Sequence, residues 1–222
     1  MIKNTEFLKD LPSVDDMKKE DVIELLLREE YGYLPEKPDS VEADIIECEE
    51  NFCAGKAQFK QVLLKCRINF KEFAFPVSCI LPKNSENKVP CIIQINFRDN
   101  IPDRYQPTEE IIDEGFAIVS FCYKNVTTDD NDFTNGLAGI IYPDGIKDIH
   151  QCGKIGLWAW AAMRVLDYVI GLPEIDGSRI SVAGHSRCGK TALLAGALDE
   201  RFFCAYSKRT DYRTQPQWEE TQ

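Results

Sequence analysis

The sequence predicts an α/β fold in which an antiparallel meander leads into parallel strands with flanking helices. Three observations carry this. Residues 41–82 hold alternating apolar and polar runs joined by short turns, as hairpin-connected strands do. From Val89 the runs become short and almost wholly apolar (VPCIIQINF, FAIVSFCY, RISVAG), as in strands buried on both faces. Helical patterns separate those runs, and strand–helix alternation implies right-handed crossovers and a doubly wound parallel sheet.

The elements follow in order. In MKKEDVIELLLREEYGYLP, Val22, Leu25, Leu26 and Glu29 keep helical spacing. Asp15 or Asp16 is a candidate cap, and Gly32 and Pro35 end the helix. VEADIIECEE, KAQFKQVLLKCRINF and KEFAFPVSCILP are the meander. VPCIIQINF is the first parallel strand, PTEEIIDEG a short helix closed by Gly115, and FAIVSFCY the second strand. A long polar loop is expected from Lys124 to about His150. In KIGLWAWAAMRVLDYVIGLP, Trp158, Ala161, Ala162, Val165, Leu166 and Val169 share one helical face. RISVAG, the helix CGKTALLAGALDE and a last strand beginning at FFCAYS complete the pattern. The expected organisation is a helical lead over 1–40, an incomplete core over 41–207 and a polar tail over 208–222. That tail, KRTDYRTQPQWEETQ, has no Leu, Ile, Val or Met for another buried strand.

The 222 residues are 44% hydrophobic with a formal net charge of -11. An acidic surface repels phosphate backbones, so neither nucleic acid nor an anionic membrane is expected as a partner. None of the nine cysteines forms a C-x-x-C pair. Most lie in apolar runs, where free cysteine acts as a small hydrophobe. The N-terminus shows no apolar signal core, and a reducing, cytoplasmic location is the expectation. No metal site is expected. Asp129, Asp130 and Asp132 cluster in the long loop but lack a full calcium-loop pattern, and a solvated loop is the default.

GHSRCGKT, residues 184–191, has two incompatible readings. It matches G-x-x-x-x-G-K-[ST], a phosphate-binding loop. It also places Ser186 between a buried strand and a helix, as an activated nucleophile requires. A phosphate-binding enzyme needs an acidic residue at the end of a second strand to hold Mg²⁺; FAIVSFCYKN ends without one. The nucleophile reading wants glycine at 188, where Cys188 stands; Gly189 comes one place later.

GHSRCGK resembles the G-[CH]-S-R-x-G-K elbow of the glucuronoyl esterases and related acetylxylan-esterase-like α/β-hydrolases, whose second glycine is one place later. EEYGYLP, INFRDNIPDRYQPTEEIIDEGFAI and IGLWAWAAMRVLDYVIGLPEIDGSRISVAGHSRCGKTALLAGALDERF agree with that resemblance. It implies an α/β-hydrolase fold and deacylation of a small-molecule or oligosaccharide ester through Ser186, with no cofactor. The developing oxyanion needs fixed donors. One is the backbone N–H of Arg187; the second comes from the loop near Phe97 or Arg98. The resemblance also gives the Arg187 side chain to the oxyanion and Lys190 to sugar hydroxyls. Trp158 and Trp160 are candidates for lining a sugar site, with core packing favoured for Trp158.

In α/β-hydrolases the acid and then the histidine follow the serine. No histidine follows Ser186 here, and the acids Asp211, Glu219 and Glu220 lie in the polar tail. The expectation is therefore a hydrolase core truncated after its elbow, with impaired turnover. His150 is the alternative base, on a loop at the sheet's carboxyl edge; His185 should point away from Ser186. Two rivals stand beside this reading: a phosphate-loop nucleotide-binding protein, and a non-catalytic hydrolase fragment. Oligomeric state is left open.

Overall fold

The computed structural model describes residues 16–83, 85–100, 103 and 106–208. The first helix, α1 (Lys19–Leu26), passes into a π turn, Leu27–Tyr31, which Gly32 ends at φ 75. Its N-cap is Lys18, with no side-chain cap. Asp16 lies two residues too early, which corrects the expected cap, and Asp15 lies outside the described residues.

The meander is β1 (Ser40–Phe52), β2 (Ala57–Ile68) and β3 (Lys71–Pro82). Only Asn69 and Phe70 join β2 to β3. Both have positive φ, 46 and 68, the turn whose twist matches the flanking strands. Then come β4 (Val89–Asn96), α2 (Thr108–Asp113) and β5 (Ala117–Cys122).

The stretch expected as one long loop holds two short helices, α3 (Tyr123–Val126) and α4 (Gly136–Ile141). Neither has a strong sequence pattern. Packing makes them: Tyr123, Val126, Leu137 and Ala138 are all buried in the main core. The long helix α5 (Lys154–Val169), β6 (Ile175–His185), α6 (Arg187–Leu198) and β7 (Cys204–Lys208) follow.

All seven strands form one sheet in the order β1-β2-β3-β5-β4-β6-β7. β1 to β3 pair antiparallel and β3 joins β5 antiparallel. β5, β4, β6 and β7 run parallel. Alternation along β4 splits the core in two. Cys91, Ile93 and Ile95 pack with α5 and α6. The opposite face carries the smaller cluster of Ala57, Phe59, Ile80, Ile112 and Ile118, with α2 covering it. The chain leaves β4 toward β5 on one side and reaches β6 on the other. Such a reversal opens a crevice at the carboxyl ends of the strands. Asn96 pairs with Cys122, and His185 with Lys208, so those ends lie side by side.

Candidate active site

The geometry of residues 184–191 separates the two readings of that segment. β6 runs to His185 and α6 starts at Arg187, so Ser186 alone is the turn. A phosphate cradle needs a run of loop N–H groups around the anion, and no such run exists here. Thr191 is fully buried and its hydroxyl donates to the Arg187 carbonyl at 3.0 Å. It is not free to hold a metal-bound phosphate. The nucleotide-binding rival fails on both counts.

Ser186 is exposed and has φ 54, ψ -119. Non-glycine residues avoid this backbone region, and such strain collects at functional sites. Two hydrogen bonds hold it. The Ser186 N–H donates to the Lys208 carbonyl at 3.0 Å, and the Lys190 N–H donates to the Ser186 carbonyl at 3.0 Å.

So sharp a turn folds the first helical peptides over the end of the strand. A Cβ on Gly184 would sit 2.2 Å from the Cys188 carbonyl oxygen. A Cβ on Gly189 would sit 2.3 Å from Ser207 Oγ on β7. This explains the displaced second glycine. Position 189 is the one pressed against β7. Position 188 faces the core, where the Cys188 side chain is fully buried. Burial pushes that thiol up to about 12, so it stays protonated and does not compete with the serine.

Arg187 is the first residue of α6, where a backbone N–H has no acceptor within the helix. Its side chain lies between two loops. The guanidinium is 6.0 Å from the Phe97 ring centroid and is ion-paired with Asp129. Phe97 stands edge-on to Tyr123 at 5.5 Å, and Tyr123 packs on Trp158 at 4.6 Å. Arg187, next to Ser186 in the chain, thus meets both Phe97 and Asp129. Arg98 turns aside to pair with Asp103 at 3.1 Å. Lys190 is exposed on α6, one turn beyond Ser186.

The three aspartates of the acidic loop are exposed, and short hydrogen bonds shape the loop around them. Asp130 Oδ1 accepts from the Thr128 hydroxyl at 2.8 Å and the Asp132 N–H at 3.0 Å. Asp132 Oδ1 accepts from the Thr134 N–H and hydroxyl, at 2.8 and 2.6 Å. These bonds hold the Asp132 carboxyl below its ordinary range. Among the described residues no group of three or more such ligands could hold a metal.

Trp158 and Trp160 are each 1% exposed, so neither lines a sugar site. Trp158 Nε1 donates to the Thr127 carbonyl at 3.1 Å, and Trp160 Nε1 to the Glu36 carbonyl at 2.9 Å. His150 is exposed and makes backbone contacts: its N–H donates to Asp148 Oδ1 and its carbonyl accepts from the Tyr33 N–H. The His185 ring packs against Phe97, with centroids 6.1 Å apart. Among the described residues no histidine is hydrogen-bonded to the Ser186 hydroxyl. Asp211, Glu219 and Glu220 lie outside the described residues.

A cavity of about 640 Å³ lies over the sheet face next to the elbow, lined by residues including Ile92, Gln94, Ile118, His185, Tyr206 and Lys208. Ser186 is not on its wall. Phe97, Arg98, Gly184 and His185 do line it, so the cavity reaches the strand ends beside the elbow.

A family model for fungal glucuronyl esterases matches residues 64–218. A carbohydrate esterase (MZ0003) from an unknown prokaryotic organism is 25% identical, over 85% of this chain and 52% of its own. A 4-O-methyl-glucuronoyl methylesterase of Hypocrea jecorina is 27% identical, over 83% of this chain and 35% of its own. The solved structure of a CE15 glucuronoyl esterase from Teredinibacter turnerae superposes with a TM-score of 0.74 at 21% identity, covering 91% of this chain and 57% of that one. The chain thus spans about half the length of these relatives, or less.

Proposed function

The chain belongs to the glucuronyl esterase family, and from that premise we propose that Ser186 is the nucleophile of a carboxylic-ester deacylation on a uronate or acetyl ester of a sugar. One observation carries the reading: an exposed serine with φ 54 forms the whole turn between β6 and α6. Its Oγ attacks the ester carbonyl as a base takes the hydroxyl proton. The alcohol leaves with that proton to give an acyl-enzyme, and water then hydrolyses the acyl-enzyme to the acid and free Ser186. The negative charge moves to the carbonyl oxygen. The Arg187 N–H and a donor on the loop at Phe97 or Arg98 receive that oxygen, assisted by the Arg187 guanidinium. Lys190, exposed one turn along α6, meets sugar hydroxyls.

A serine hydroxyl needs a base to become a useful nucleophile. His150 is the candidate base, and no described contact joins it to Ser186. The nucleophile assignment is therefore tested by a reaction that needs no turnover. Intact-protein mass after fluorophosphonate treatment tests this, wild type beside Ser186→Ala. One adduct on wild type alone supports an armed serine, and His150→Ala then asks whether that residue arms it. A folded wild-type chain that takes no adduct removes the nucleophile assignment.

A further inference from the structure

We propose that Asp129 is a positioning residue for Arg187 that makes this site favour a neutral uronate ester over the free uronate; the inference rests on the uronate reading above. Arg187 follows the nucleophile and would face the acyl group. An unpaired guanidinium there would bind a carboxylate in fork geometry, more strongly than a neutral carbonyl. The acid released by the reaction would then hold the site better than the ester entering it. The structure places the Asp129 carboxylate on that guanidinium.

The pair is built, not incidental. The loop bearing Asp129 is pinned on both flanks. Thr127 is 1% exposed; its carbonyl accepts from Trp158 Nε1 and its hydroxyl from Lys154 Nζ at 3.0 Å. Asn135 accepts the Thr128 N–H at 3.0 Å and donates to the Asp132 carbonyl at 3.1 Å. Lys154 Nζ also donates to the Asp132 carbonyl at 2.5 Å and stands 3.9 Å from Asp130. Asp130 and Asp132 are thus engaged within the loop and with Lys154, while Asp129 faces Arg187. On the other side the Phe97 ring backs the guanidinium. Arg187 can still donate to a carbonyl oxygen, but its charge is already balanced.

The pair is partly exposed, with side chains 47% and 30% accessible, so solvent screens it and the effect is modest. Titration calorimetry with D-glucuronate and with its methyl ester, on the full chain in a Ser186→Ala background, tests it without turnover. Asp129→Asn should tighten glucuronate about five-fold and shift the methyl ester less than about two-fold. Asp129→Glu should keep the parent ratio of the two affinities. A merely structural role would move both ligands together. That result, or no change in the ratio, overturns the proposal while leaving the uronate reading intact. If the folded Ser186→Ala parent and both variants bind neither ligand, the uronate reading itself fails and the proposal falls with it.

Discussion

The Ser186 N–H is held by the Lys208 carbonyl at 3.0 Å, so β7 closes the turn that carries the nucleophile candidate. The elbow is therefore a property of two strands and a helix together. Its positive φ is imposed by the fold rather than chosen by the serine.

Imposed strain should be recoverable. A non-glycine residue in this region costs about 1–3 kcal/mol, and glycine gives back about 0.5–1 kcal/mol in unfolded-chain entropy. Ser186→Gly should therefore raise stability by about 1 kcal/mol, or about 2–4 °C in Tm for a chain of this size. Ser186→Ala keeps the Cβ and should melt with wild type. Identical melting of the Gly and Ala variants would show that the strain is absent.

The two glycines of the elbow should differ in cost. A Cβ on Gly184 meets backbone, 2.2 and 2.4 Å from the oxygen and carbon of the Cys188 carbonyl. Gly184→Ala should cost at least about 3 kcal/mol, because backbone must move. A Cβ on Gly189 meets the rotatable Ser207 hydroxyl at 2.3 Å, with the Gly184 carbonyl oxygen at 3.1 Å. Gly189→Ala should cost about 1–2 kcal/mol, partly recovered by Ser207→Ala. Urea midpoints of the double-mutant cycle read this directly; strictly additive effects would contradict the contact.

Buried thiols should make the fold sensitive to alkali. Burial pushes Cys66, Cys79 and Cys188 up to about 12, and Cys152 up to about 11, from an ordinary 9.0. Their folded values lie above their unfolded ones. The stability they contribute is complete below pH 9 and is lost as pH rises toward 11–12. At pH 10 each costs about 1.4 kcal/mol, against a total stability of about 5–15 kcal/mol. Urea midpoints at pH 7, 9 and 10 should fall steeply, and Cys66→Ala should flatten the fall. A pH-independent midpoint would show that these thiols do not report burial.

Much of this was legible in the sequence. KEFAFPVSCILP spans β3 at both ends, because period-two alternation and the Pro82 terminus are local signals. Trp158, Ala161, Ala162, Val165, Leu166 and Val169 are all buried, as helical spacing requires. The α/β-hydrolase architecture followed from the order of elements, and the relatives share it. What escaped is set by contacts distant in sequence. The helices α3 and α4 exist because Val126 and Leu137 reach the core, not because their residues favour helix. Trp160 lies off the apolar stripe yet is buried against Arg164, 5.2 Å from its ring. Nothing near Asp129 announces Arg187 as its partner; only the packing of a β5 loop beside the β6 elbow brings the two together.

Trp158 and Trp160 stand two residues apart on α5, which turns them to different sides of the helix. One holds the loop at Thr127 and the other the leading segment at Glu36. Thr127, at the end of α3, is also held by Lys154 of the same helix at 3.0 Å, and Glu36 lies in the irregular stretch between the leading helix and β1. Docking of α5 thus orders both in a single event, and loss of that helix would free both at once. In amide hydrogen exchange the segments around Thr127 and Glu36 would therefore open as one cooperative unit, although they lie far apart in the chain and at different ends of the fold's assembly.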